Sequence, residues 1–155
     1  MEGVKLMISA PTLFSACNAI ALAAWLALSL SLFVPTLRPW TWRITGLVLP
    51  ALFAVAYLGA LATGLSSGTG GGFTSVAGVR ALFSDDHALT AGWIHYLAFD
   101  LFVGTWIARS GTDARLSPLL ILPCLVLTFL AGPIGLLLAL LIRLSTGTMA
   151  KEARP

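Results

Sequence analysis

The chain has 155 residues, of which 58% are hydrophobic and only 10% charged, with a mean hydropathy of +0.95. A water-soluble domain of this size would carry about 25% charged residues, so the composition points to an integral membrane protein. The net charge of +3 comes from basic residues at the ends of apolar runs, where they suit headgroup anchoring. They do not form the clustered basic face that nucleic-acid binding requires.

The first apolar run begins just after Lys5 and is too long for the core of a cleavable leader, and no small-residue cleavage site closes it. It predicts a first span over 8–34, with Pro11 in the opening turn, where proline removes no helical hydrogen bond. Asn18 is its one strongly polar side chain and suits a contact between helices. Cys17, like Cys124 further on, reads as a small packing residue, since no Cys pair or Cys/His cluster has metal spacing.

Pro35, Arg38, Pro39, Trp40, Trp42 and Arg43 predict a short turn at the membrane surface. A second span follows over 44–65, kinked at Pro50, with Tyr57 as its polar aromatic residue. Core packing is the expected role of Tyr57.

The connection over 66–88 is glycine-rich at first, without the lysine and hydroxyl of a nucleotide-binding loop. Apolar residues then recur from Ser75 to Phe83 at helical spacing, predicting a short amphipathic interfacial helix with Thr74 or Ser75 as its cap. Asp85 and Asp86 suit the N-terminus of the next helix, and His87 a solvated loop.

The third span, over 89–108, contains the stretch AGWIHYLAFDLFVGTWIAR from Ala91 to Arg109. Ionisable residues at membrane depth normally mark function, and this stretch holds His95 and Asp100. Helical geometry puts Trp93, Tyr96 and Asp100 on one stripe and His95, Phe99, Phe102, Trp106 and Arg109 on another. His95 and Asp100 are then about 140° apart around the helix and roughly 7–8 Å apart along it. A direct pair between them is not expected.

A polar turn holding Asp113 and Arg115 leads to the fourth span, over 118–142, kinked or unwound at Pro123 and at Gly132-Pro133. Thr128 lies a turn earlier, where it can satisfy a freed carbonyl. A polar tail covers 144–155. The expected fold is therefore all-α and integral to the membrane: a single domain over 1–155 with four transmembrane helices and both termini on one side. Counting charges on the two sides leaves the orientation nearly balanced, with the tail favouring cytoplasmic termini.

Three blocks, GVRALFS at Gly78–Ser84, AGWIHYLAFDLFVG at Ala91–Gly104 and PCLVLTFLAGPIGLLLALLIR at Pro123–Arg143, resemble the membrane family of the plant abscisic-acid-deficient-four protein and its bacterial relatives. The resemblance covers the second half of the chain. It implies a role in carotenoid metabolism of the neoxanthin-forming type, in a plastid membrane for the plant relatives and a bacterial inner membrane here. It also implies a basic residue after Gly104, where this chain has Thr105.

Conversion of violaxanthin to neoxanthin is an isomerisation in which an epoxide opens, a polyene carbon loses a proton and an allene forms. It needs a proton donor, a base and an apolar groove. A buried neutral Asp100 suits the donor and His95 the base. Trp93, Tyr96, Phe99, Phe102 and Trp106 would wall the polyene, and the resemblance places the family site on Trp93, His95, Asp100 and Arg109, with Arg80 and Asp85 closing it from the loop.

No cofactor or metal is required on this reading, and the expected partners are the lipid bilayer, a bound carotenoid or related isoprenoid, and other carotenoid enzymes or further copies of the chain. The alternative is a non-catalytic carotenoid- or isoprenoid-binding accessory protein, in which neither ionisable residue takes part in turnover. A haem protein with His95 as axial ligand would need its second histidine from another copy of the chain, since His87 lies near the boundary. A channel or transporter lacks the internal repeat common in such folds.

Overall fold

In the computed structural model, which describes residues 8–68 and 70–147, all regular structure is helical. Helix α1 spans Ala10–Phe33, α2 Arg38–Arg43, α3 Leu49–Ser66, α4 Val76–Leu82, α5 Asp86–Asp113, α6 Pro118–Ala131 and α7 Pro133–Ser145. Two runs, Ala10–Phe33 and Pro35–Ser66, are long and apolar enough to cross a membrane.

Helix α1 starts where Ser9 caps the Thr12 amide and Pro11 occupies the first turn. At its other end the Arg38 guanidinium donates to the carbonyls of Ser31 and Leu32, at 3.1 and 2.9 Å. Those carbonyls belong to the last turn of α1, which leaves acceptors without helical partners.

The segment expected as a surface turn over 35–43 is helical instead. A 3-10 turn at Pro35–Leu37 leads into α2, and Pro39 falls in its first turn, where no hydrogen bond is lost. The chain then continues through a π-helical stretch, Ile44–Val48, directly into α3. Pro50 explains the wider turn. A proline has no N–H to give the carbonyl four residues back and its ring presses on that carbonyl, and the π-turn gives the strain room.

Ser75 caps α4 through the Gly78 amide at 3.0 Å. Asp85 caps α5 by accepting from His87 N and Ala88 N, at 2.9 and 3.0 Å. Both were readable as caps from residue type. At 28 residues, α5 is about 42 Å long, and it is the helix on which the others pack. The indole of Trp25 from α1 fills the space where Gly104 lacks a side chain. On the α3 side, Thr105 shares its one O–H between Thr45 Oγ1 at 2.7 Å and Leu101 O at 2.9 Å. Thr105 is buried in that contact, so a long basic side chain at this position would have to displace the approach of the Ile44–Val48 segment.

The last part of the chain corrects the expected fourth span. The helix breaks at Gly132, and α7 folds back along α6 rather than continuing it. In a straight helix Leu120 and Ile142 would be about 33 Å apart, whereas here they line one small cavity together with Ile107 and Arg143. The close fold requires Gly135, where a side chain would collide with Thr128 and the Cys124 carbonyl. Helix α6 starts beside Gly111, which packs on Ile121, and its C-terminal end reaches Asp100 in the middle of α5. Helix α7 then returns, placing Arg143 over the Trp106 ring at 5.4 Å.

The two halves of the hairpin are 14 and 13 residues long, or about 20 Å each, which covers only half of α5. The described ends of the chain consequently lie at opposite ends of the bundle, contrary to the same-side expectation. Ile8 lies beside His87 at the start of α5, and Ile142 and Arg143 lie beside Ser110 near its end. The polar tail beyond residue 147 lies outside the described residues.

Candidate functional site

The side chains of α5 divide into two groups, as its periodicity predicts. His95, Phe99 and Phe102 face α3 and, with Pro50, Ala54, Tyr57 and Leu58, line a groove of about 520 Å³. The His95 ring lies 4.5 Å from that of Phe99 and 5.8 Å from that of Tyr57, centroid to centroid. Phe99 is 60% and Phe102 53% exposed, so the groove opens outward along its length. Its lining is apolar except for the His95 imidazole and the Tyr57 hydroxyl.

Phe102 also borders a second pocket of about 350 Å³, lined further by Gly46, Thr105, Trp106, Arg109, Ser110 and Asp113. The Arg109 guanidinium lies over the Trp42 ring at 5.9 Å. The stripe His95–Phe99–Phe102–Trp106–Arg109 thus forms the floor of two adjoining cavities.

Trp93, Tyr96 and Asp100 are on the other side of the helix and do not wall the groove. Trp93 Nε1 donates to Asn18 Oδ1 at 3.0 Å, and its ring stacks on Tyr96 at 5.3 Å. By accepting from Trp93, Asn18 plays the interhelical role expected of it, while its own amide donates to Phe14 O of the same helix at 2.8 Å. The Tyr96 hydroxyl donates to Phe129 O at 3.5 Å. That carbonyl is the one Pro133 cannot serve, four residues on, so Tyr96 rather than Thr128 meets it; Thr128 donates to Cys124 O.

Asp100 sits against Gly132, with the Tyr96 hydroxyl beside its carboxyl group. Its Oδ2 is buried and has no hydrogen-bond partner among the described residues. Helix α7 begins at the next residue, Pro133, without a side-chain cap hydrogen bond. Asp100 therefore faces the positive end of a helix dipole.

Arg80 is exposed on α4. Asp85 is occupied as the cap of α5, and the Ala88 N–H above all holds its carboxyl below the usual carboxylate range, against a smaller opposing effect of desolvation and with further help from Ser67 and His87. It lies about 15 Å before His95 along the helix axis. His87 borders a separate pocket with Thr63, Gly59 and Leu13. Among the described residues no group of three His, Cys, Asp or Glu side chains could hold a metal ion. Cys17 and Cys124 are free and buried.

Sequence reasoning missed the groove role of Tyr57 and of Pro50. The only available signals were that Tyr57 is the one hydroxyl-bearing aromatic of its helix and that Pro50 disturbs its register.

The fold is thus a helical bundle in which two helices are long and apolar enough to cross a membrane and an apolar groove opens outward beside a histidine. The chain belongs to the ABA4-like family, whose model, described as ABA DEFICIENT 4-like, matches residues 12–138. No curated protein and no solved structure matches it.

Proposed function

We propose that the protein is an integral membrane protein, in a bacterial inner membrane, that holds a carotenoid or related isoprenoid in the α3/α5 groove and isomerises it. The observation that carries this reading is the groove itself: an apolar channel along two long helices with one imidazole and one phenol inside it. Helix α1, the run from α2 through α3, and α5 are the spans. The α6/α7 hairpin is re-entrant, and α4 lies at the interface. A broken, irregular backbone at membrane depth is tolerated where protein covers it, as Tyr96 and Asp100 cover the hairpin tip.

The chemistry assigned to the site is proton transfer without a cofactor. A proton given to an epoxide oxygen opens the C–O bond, and a proton taken from the adjoining polyene carbon leaves the allene, so no electrons are gained or lost. His95 serves as the base. Tyr57, across the groove from it, serves as the donor, and proton return from His95 to Tyr57 resets the pair. Asp100, on the other face of α5, is assigned to holding the hairpin tip.

That same separation of His95 from Asp100 favours a second reading, a carotenoid-binding accessory protein that presents pigment to another enzyme. One molecule in the groove does not meet both ionisable groups.

The test is an absorption spectrum of the purified protein made in carotenoid-producing cells, followed by product analysis. A structured polyene band with altered products, lost in His95→Ala and Tyr57→Phe, is the expected result. A polyene band with unchanged products would establish the accessory reading. A haem band, or a preparation that never takes up a polyene, would overturn both.

A further inference from the structure

The groove and the polar pocket adjoin at Phe102, which borders both. From His95 to Asp113 the floor of the combined cavity runs about 27 Å along α5, close to the ~30 Å thickness of a bilayer's hydrocarbon core. One end is apolar around His95. The other carries Arg109, Ser110 and Asp113, at the end of the bundle where α5 stops.

We infer that the pocket around Arg109 and Asp113 is a subsite for an uncharged hydroxyl terminus of the long molecule whose other end lies beside His95. This rests on the reading of the α3/α5 groove as a polyene site. Arg109 is a donor without acceptor capacity, and the Asp113 side chain supplies carboxyl oxygens as acceptors. Lining one pocket, they match a group that both gives and accepts a hydrogen bond. A phosphate would meet Arg109 but be repelled by Asp113, and an ammonium would meet the reverse conflict. The buried indole N–H of Trp42, whose ring lies under the Arg109 guanidinium, adds a donor with no acceptor among the described residues at this end of the bundle.

The subsite has a mechanistic consequence. A molecule anchored by its terminus at Arg109 and Asp113 presents a fixed carbon of its chain to His95. Register along the groove, rather than recognition of the reacting atoms, then selects the reacting position.

The full chain in lipid nanodiscs tests this with three probes: β-carotene, zeaxanthin, which is the same polyene with a hydroxyl at each end, and a polyprenyl phosphate. Binding is read from quenching of tryptophan fluorescence. Zeaxanthin is expected to bind at least about tenfold more tightly than β-carotene, the scale of a hydrogen bond to charged groups. Asp113→Leu and, independently, Arg109→Gln are expected to weaken zeaxanthin binding until the preference is below about threefold.

Equal binding of the two carotenoids by the wild-type protein would overturn the subsite while leaving the groove reading intact. Tighter binding of the polyprenyl phosphate would overturn the uncharged terminus in favour of an anionic one. Binding of neither carotenoid would remove the groove reading and this inference with it.

Discussion

The carboxyl group of Asp100 occupies the space into which a side chain at Gly132 would project. That contact joins the middle of the longest helix to the tip of the α6/α7 hairpin. Gly132→Ala is expected to lower stability by about 1–3 kcal/mol, because a methyl group there displaces Asp100 from the start of α7. Thermal unfolding in detergent measures it. Asp100→Ala removes the obstacle, so the double variant should be less destabilised than the sum of the two single ones. Strict additivity would show that the two sites do not share this space.

Ala54 lines the groove and is exposed, facing His95 and Phe99 from α3. Ala54→Trp is expected to fill much of the cavity without entering the core and to abolish polyene uptake while the protein stays folded. Asp100→Asn keeps the shape of its side chain on the opposite face, so it should leave uptake within about threefold of wild type. Visible absorbance per protein after purification reads both. Loss of pigment in Asp100→Asn with uptake intact in Ala54→Trp would place the binding site on the wrong side of α5.

Much of this arrangement was legible because α5 is regular. Its helical period alone separates His95 from Asp100, and residue type alone marks Asp85 and Ser75 as caps. Asn18 was recognisable as interhelical glue because a lone amide in an apolar run needs a partner. The hairpin was not legible: an apolar run over 118–142 has the length and hydropathy of a span, and a Gly-Pro pair signals a break without stating its angle. What turns the break into a reversal is the close packing of Gly135 on Thr128, a contact between residues that no local pattern connects. Tyr57 was hidden for a related reason. The π-helical turn before it shifts the face of α3 relative to a uniform helix, and with it the side that meets His95.

The Asp85 cap links stability to pH in a defined direction. Its native pKa lies below the ordinary carboxylate value because the ionised form accepts from the Ala88 and His87 amides. Its stabilisation is therefore complete above the ordinary value and is lost as the pH falls through the lowered native one. Asp85→Ala is expected to cost about 1 kcal/mol at neutral pH, and the difference from wild type should shrink on acidification. A cost that persists undiminished at low pH would assign the effect to packing rather than to the ionised cap.

The hairpin gives the proposed membrane crossing a direction. With α6 leaving the end of α5 and α7 returning to it, Arg38, Arg43, Arg109, Arg115 and Arg143 gather at one end of the bundle, and among the described residues only Arg80 lies at the other. Four spans would have put Arg143 beside Arg80, leaving four arginines against two among the described residues. The positive-inside rule assigns the five-arginine end to the cytoplasm. Single cysteines at Ser84, Ser117 and Ser145, all exposed, in a background where Cys17 and Cys124 are replaced by serine, test both points in intact cells. Ser117→Cys and Ser145→Cys should resist a membrane-impermeant thiol reagent until the cells are opened, while Ser84→Cys reacts from outside. Reaction of Ser84→Cys and Ser145→Cys together would restore the fourth span, whereas reaction of Ser117→Cys and Ser145→Cys without Ser84→Cys would keep the hairpin and invert the protein.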